Sequence, residues 1–396
     1  MLQNDARTTT LSLTGVDVTG RLPLGRLFVY VSRPTMLTEP LIFRCGLRTR
    51  NRIWLAPMTN RQSHDDGSLS DDELSWLERR AEGGFGVIET CAAHVSRDGQ
   101  GWPGELGIFD DTLMPGLTRL ASAISAHGVA GIVQIFHGGL RSPSRLIGQP
   151  PWSASAYEAP GADPARAATE EDIARAVQSF ASASVRAQTA GFAGVELHGA
   201  HGYLFGQFLS ATLNRRTDPW GGSLEGRARL LREATQAVRR AVSPRFAVGV
   251  RLSPEDRGNA VGLDLDESIQ VARWLADDGV DFIHLSLWDA TQNTRKRPSE
   301  HPVTLFRSAL PGDVAIVAAG GVWTRADAES ILAKGASAVA LGLAGIANPD
   351  WAARVSDISW EPRRPPLTIA ELRERGLNET FAGLMRNWKG FVAETL

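Results

Sequence analysis

The sequence predicts a (β/α)8 barrel, a TIM barrel, and three observations carry that expectation. Eight short apolar runs recur between residues 52 and 342. Segments with helical periodicity and helix caps lie between them. The first run is not followed by the glycine-rich turn that an open, doubly wound dinucleotide-binding sheet requires there, because residues 56–63 read APMTNRQS.

In order, the runs are RIWLAP (52–57), GVIET (86–90), GIVQIF (131–136), GVELH (194–198), FAVGVRL (246–252), DFIHLSL (281–287), VAIVAAG (314–320) and AVALG (338–342). None alternates strictly with polar residues, as expected of parallel strands covered on both faces. Helices are predicted over 70–84, 111–128, 169–191, 264–279 and 324–335, each closed by glycine. Thr169, Asp264 and Thr324 stand at N-cap positions with acidic residues following, where the helix dipole favours them.

Residues 1–35 are polar and Thr-rich apart from LFVYV (27–31), and the regular pattern opens at Met36. They are expected to be an irregular, disordered extension or a product of start-codon choice, since a basic start, long apolar stretch and cleavage site are not evident. Residues 36–360 are assigned to the barrel. Residues 361–396 are assigned to a Pro-rich connector and a helical tail, with Trp388 and Phe391 as apolar anchors. Such a tail packs on its own barrel or reaches a neighbouring subunit, so a homo-oligomer stays open.

The chain of 396 residues is 43% hydrophobic with a formal charge of −2, which gives no support for nucleic acid or an anionic membrane as partner. Its two cysteines, Cys45 and Cys91, cannot form a disulfide framework or hold an iron–sulfur cluster alone. No apolar run approaches the ~18 residues that a bilayer demands. A cytoplasmic protein is expected.

In this architecture the C-terminal ends of the strands face the active site. They supply Pro57, Met58 and Thr59, then Thr90 and Cys91, then Gln134 and His137. His198, His201 and Tyr203 follow strand four, Arg251 ends strand five, and Gly320, Gly321 and Gly342 end strands seven and eight. Backbone N–H groups at such glycines commonly hold a phosphate, so with Arg251 and Gln134 at the mouth a phosphorylated heteroaromatic ligand is expected. The pair His198 and His201 could ligate zinc, sit in a local turn, or donate hydrogen bonds to a substrate oxygen. No HExxH helix or evident third ligand accompanies them. Tyr203 alone could be a packing residue, and Arg251 could pair with Asp256.

The segments WLAPMTN, VQIFHGG, GVELHGAHGYLFGQFLSATLNRRTDPWGGSLEGR and GVRLSPED together resemble the Old Yellow Enzyme family of FMN-dependent ene-reductases over roughly residues 37–360. The resemblance implies bound FMN, reduction by NADH or NADPH, and hydride transfer to an activated alkene or similar carbonyl substrate. Pro57, Met58, Thr59 and Thr90 would flank the flavin, with Thr59 at its O4 edge. Gln134 would hold the pyrimidine ring and Arg251 would lie near N1 and O2. Gly320, Gly321 and Gly342 would present amides to the phosphate. His198 and His201 would polarise the substrate oxygen, and Tyr203 would deliver the proton.

Two positions depart from the family pattern. Leu343 stands where an arginine usually grips the phosphate, with Arg325 as a candidate replacement, and Arg61 stands where relatives place an aromatic residue. Leu343 motivates a rival reading, a degenerate barrel that binds FMN weakly or not at all and serves as a non-catalytic ligand-binding protein. The larger iron–sulfur relatives are excluded by the cysteine count. Residues 214–227 are expected to be a rigid loop braced by Arg216, Asp218 and Arg227, with Cys91 a small buried apolar residue and His94 and His137 without assigned roles.

Overall fold

A computed structural model describes residues 35–394. The expected N-terminal extension lies outside the described residues except for Thr35, whose hydroxyl accepts from the backbone N–H of Leu37 at 3.0 Å.

Eight parallel strands close on themselves: β1 (Ile53–Leu55), β2 (Val87–Glu89), β3 (Ala130–Phe136), β4 (Gly194–Gly199), β5 (Ala247–Leu252), β6 (Phe282–Ser286), β7 (Ala315–Ala319) and β8 (Ala338–Leu341). Closure is made by β8 pairing with β1, Val339 opposite Ile53 and Leu341 opposite Leu55. Every apolar run of the sequence is thus a barrel strand. The connecting helices are α1 (Asp71–Glu82), α2 (Met114–Ala126), α3 (Glu170–Ala190), α4 (Leu224–Ala241), α5 (Leu265–Asp277), α6 (Pro302–Ala309) and α7 (Arg325–Ala333). Thr169 and Thr324 form reciprocal capping boxes with Asp172 and Asp327, and the Asp264 side chain accepts from the first-turn amides of α5.

The 214–227 expectation needs one correction. Ser223 caps α4 through the N–H of Gly226, so the last four residues of that stretch are helical. The loop before them is braced as expected, with Arg216 on Asp218 at 3.0 Å, while Arg227 reaches instead to Glu267 at 2.6 Å.

Side chains along each strand alternate between two apolar environments. Ile53, Leu55, Val195, Leu197, Val248 and Val250 pack outward against the helices. Inward, Trp54, Val87, Ile132, Phe282, Val317 and Ala340 fill the barrel floor, and Leu41 and Phe43 from a short antiparallel hairpin plug it. The rings of Trp54, Phe282 and Phe43 pack with centroids 5.2–5.9 Å apart. Gly249 has no side chain because the Phe282 ring occupies its place; a Cβ there would lie 2.1 Å from that ring. One step toward the C-terminal ends, the same inward parity brings polar residues into the barrel: Glu89, Gln134, Glu196, Arg251 and His284, all buried.

After β8 the chain makes a short helix, α8 (Leu343–Ala347), then crosses the Pro-rich connector to α9 (Ile369–Glu374) and α10 (Glu379–Leu384). The tail packs on its own barrel: Phe381 meets Trp76 of α1 at 5.4 Å, and Phe391 is buried. Trp388 is not the buried anchor expected, being 42% exposed. Arg80 of α1 clamps this region. It is fully buried and donates to the carbonyls of Trp76, Gly345, Ile346 and Arg375 at 2.8–3.2 Å, stacked 4.5 Å over the Trp76 ring. No helix among the described residues is long and apolar enough to cross a membrane.

Candidate active site

At the C-terminal end of the barrel lies a cavity of about 250 Å³. Pro57, Met58 and Thr59 line it from beyond β1, Gln134 from β3, and Gly342 and Leu343 from the end of β8. His198, His201 and Tyr203 contribute another part of the wall. The tail adds Phe381, Met385 and Trp388, and the loop after β2 adds Ala92 and Trp102. Trp388, 42% exposed, is thus a residue of the cavity wall.

His198 and His201 lie with ring centroids 5.0 Å apart, and the Tyr203 ring is 5.0 Å from that of His198. His198 Nδ1 accepts from the N–H of Ala200 at 3.3 Å, so in the neutral ring the proton sits on Nε2. His201 Nε2 is 2.6 Å from Ser286 Oγ at the end of β6. Burial, reinforced by Arg251 and Arg141, holds both rings well below the ordinary histidine range, which favours the neutral imidazole. Burial pushes the Tyr203 phenol upward, against the opposing pull of Arg141.

His201 and Arg61 are the two non-glycine residues with left-handed backbone among the described residues, at φ 60° and 54°. Both occur in loops beyond barrel strands at this end of the molecule. Such conformations cost about 1–3 kcal/mol each and persist where surroundings over-determine them. At His201 the surroundings are visible: Ser253 Oγ accepts its N–H at 3.2 Å and Arg141 donates to its carbonyl at 2.8 Å.

A buried polar layer joins the site to the barrel interior. Gln134 Nε2 donates to Glu196 Oε1 at 2.7 Å, and Glu196 Oε2 lies 2.7 Å from His284 Nδ1. Burial holds His284 below the ordinary histidine range, against the opposing pull of Glu196. Burial also works against the Glu196 carboxylate, but His284, Arg251 and Gln134 outweigh it and hold Glu196 below the usual range. Glu89 is pushed well above that range by burial and by Glu196. Arg251 pairs in register with His198 and His284 on its neighbouring strands, and its Nε has no partner among the described residues. It does not pair with Asp256, whose carboxylate accepts from the N–H of Leu263.

Other expected residues fall elsewhere. Thr90 does not line the cavity, because its hydroxyl donates to the carbonyl of Cys91 at 2.7 Å. Gly320 and Gly321 lie just past β7 at φ 146° and 62°; a Cβ on Gly320 would meet the Leu287 carbonyl at 2.1 Å. Cys91 is buried, and its thiol lies 2.9 Å from Glu73 rather than in purely apolar surroundings. His94 stacks on Phe109, while His137 accepts from the N–H of Gly139 and faces Asp98. Arg325 is no substitute for the missing phosphate arginine, since it donates to Glu329 at 2.8 Å and to the Val355 carbonyl.

Among the described residues, the cluster with three mutually close metal-ligating side chains is Glu89, Glu196 and His284, not the pair at the cavity. That cluster shares its layer with the Arg251 cation; Glu196 bridges Gln134 and His284, while neither Glu89 oxygen has a hydrogen-bond partner among the described residues.

Gln134, Gly342 and Leu343 line a mainly apolar slot, whereas Arg251, its buried Nε without a partner among the described residues, and the Gly320–Gly321 turn are not among the residues that line it. An amide and an unpartnered cation at this end of the barrel suit a flavin better than a metal ion. Leu343→Arg is therefore expected to tighten FMN binding about ten- to hundredfold, the worth of one charge-assisted contact. Titration of the apoprotein by flavin fluorescence quenching checks this, and an unchanged Kd would mean the phosphate does not approach residue 343.

The family model described as "NADH:flavin oxidoreductase / NADH oxidase family" matches residues 37–358. A "Probable NADH-dependent flavin oxidoreductase YqiG" from Bacillus subtilis (strain 168) is 38% identical over 328 residues, 81% of this chain and 88% of that protein. Among solved structures, an old yellow enzyme homologue from Zymomonas mobilis superposes with a TM-score of 0.77 at 27% identity, covering 88% of this chain and 99% of that one. Morphinone reductase, solved in complex with tetrahydroNAD, gives 0.75 at 27% identity, covering 88% and 97%.

Proposed function

Because the chain belongs to the NADH:flavin oxidoreductase / NADH oxidase family, we propose that it is an FMN-dependent reductase of activated alkenes that uses NADH or NADPH as reductant. The observation that carries this reading is the convergence of His198, His201 and Tyr203 on the cavity that Met58, Thr59 and Gln134 also line.

Gln134 would hold the flavin pyrimidine edge, its amide orientation set by the bond to Glu196. Arg251 would offer its charge to the ring, and the turn at Gly320 and Gly321, with Gly342 and Leu343, would receive the phosphate. When bound and reduced, FMN would supply hydride-transfer chemistry at this site. The protein's part is to bind the substrate carbonyl and make it a better electron sink. His198 donates from Nε2, and His201 adds a second donor when the Ser286 hydroxyl releases it. Negative charge grows on that oxygen as hydride arrives, so donors aimed there stabilise the transition state more than the ground state. Tyr203 then gives its phenolic proton to the α-carbon.

The visible spectrum of freshly purified protein, followed by that of the supernatant after heat denaturation, tests the reading. About one FMN per chain, bleached anaerobically by NADH or NADPH and recoloured by 2-cyclohexenone, is expected. A protein that stays colourless with excess FMN would favour the degenerate barrel that Leu343 motivates. Within the same assay, Tyr203→Phe should slow reoxidation by the enone about a hundredfold or more, as loss of a general acid does, and leave reduction by NAD(P)H unchanged. Equal loss in both half-reactions would make Tyr203 a packing residue.

A further inference from the structure

Arg141 belongs to the short 3-10 turn Gly139–Arg141 that follows β3, and the functional reading above leaves it without a task. It is half-buried, and no carboxylate lies within ion-pairing distance of it among the described residues. Its guanidinium makes two contacts instead. Nη1 donates to the carbonyl of His201 at 2.8 Å, and Cζ lies 4.5 Å from the centre of the Tyr203 ring. One cation thus touches two of the three residues assigned to the chemistry.

We propose that Arg141 is a positioning residue of this site: it holds the left-handed turn of His201 by its carbonyl and directs positive charge at the phenol whose proton the reaction uses. The proposal rests on the reading of Tyr203 as proton donor.

Both halves follow from the contacts. A non-glycine residue at φ 60° returns to a relaxed conformation unless its peptide groups are pinned. Ser253 pins the N–H of His201 and Arg141 pins its carbonyl. The phenol, meanwhile, is surrounded by groups that discourage its ionisation. Burial acts most strongly, and Glu105, from the loop after β2, adds to it. Glu105 is itself buried and pushed well above the carboxylate range, which limits its charge. His198 and His201 on the β4 side are held well below the ordinary histidine range by burial, which limits their charge. Arg141 is left as the one charged group that favours the phenolate, and it acts where little water screens it.

The chain has three tyrosines, which makes a direct test practicable. Biosynthetic 3-fluorotyrosine gives one 19F resonance per tyrosine and ionises at lower pH than tyrosine itself; Tyr203→Phe assigns the signal. In R141M the Tyr203 resonance should titrate about one pH unit or more higher than in the parent, the usual size of such a charge effect. R141Q keeps a donor for the His201 carbonyl but no charge, so it should show the same upward shift and serves if R141M does not fold. In both variants reoxidation by 2-cyclohexenone should slow about tenfold, with reduction by NAD(P)H unchanged. An unmoved Tyr203 titration in a folded variant overturns the proposal at the level of the residue pair, independently of any flavin. A shifted titration with unslowed reoxidation instead overturns the role of Tyr203 on which the proposal depends.

Discussion

Replacing His198 and His201 together with alanine should leave FMN binding nearly intact while weakening binding of phenols and enones about a hundredfold or more. Each imidazole N–H that meets an anionic or strongly polarised oxygen contributes about 1.5–3 kcal/mol, and two such donors are removed. His198→Ala alone should cost more than His201→Ala, because His201 Nε2 is already engaged by Ser286 whereas His198 Nε2 is the protonated nitrogen of its ring. The pH dependence has a definite sign. Both rings lie well below the ordinary histidine range, so ligand binding should not vary through their titration between about pH 6 and 8. Stability should vary from the acid end of that window downward. The unfolded chain takes up protons near pH 6.5 that the buried rings refuse, so stability falls as pH drops through that value. Titration of the holoprotein with a para-substituted phenol at several pH values checks the first statement, and urea unfolding between pH 5 and 8 checks the second. Tight phenol binding by the double variant would remove these histidines from the site's chemistry.

The largest loss of stability is expected from Arg80→Met. The substitution keeps the length and apolar stem of the side chain but strands the carbonyls of Gly345, Ile346 and Arg375, while that of Trp76 keeps its place in the α1 backbone ladder. Orphaned buried acceptors cost about 1–3 kcal/mol each, some of which returns because a buried cation no longer has to be kept out of water. A net loss of about 3 kcal/mol or more is expected, read as a lower urea midpoint. Flavin affinity should fall with it, because α8 begins at Leu343 on the cavity wall and ends at the carbonyls that Arg80 holds. Arg80→Lys should lie between, since one ammonium cannot satisfy four carbonyls spread over three segments. Unchanged stability in Arg80→Met would mean that water or backbone adjustment replaces the guanidinium.

The barrel was legible because each of its strands is an apolar run bounded by turn residues, and parallel strands covered on both faces leave that mark. α4 and α6 were not marked out in advance. The first begins inside the WGGSLEGR stretch, at Leu224, and its arginine-rich helix has few long apolar runs; the second is eight residues long and starts at a proline. The cavity-lining residues at the strand ends could be placed because a short motif fixes them to a strand terminus, as with His198, His201 and Tyr203. Thr90 could not, since the choice between a hydroxyl facing the cavity and one turned to the Cys91 carbonyl is made by local backbone geometry. Glu89, Glu196 and His284 were passed over although a signal existed: each is an ionisable residue inside an apolar strand, at the parity that points into the barrel. Phe381, Met385 and Trp388 left no such trace. Their place at the cavity depends on where the connector lands, which no local pattern encodes.

That landing also orders events in time. The ribosome delivers the chain from its N-terminal end, so β1 to β8 can pair while the segment carrying Phe381, Met385 and Trp388 is still being made. Until it emerges, the barrel mouth lacks one wall, and Arg80 lacks the Arg375 carbonyl among its acceptors. A flavin that arrives early would meet an unfinished, wetter pocket, and its firm retention would wait until residues 381–388 have emerged and docked on the barrel.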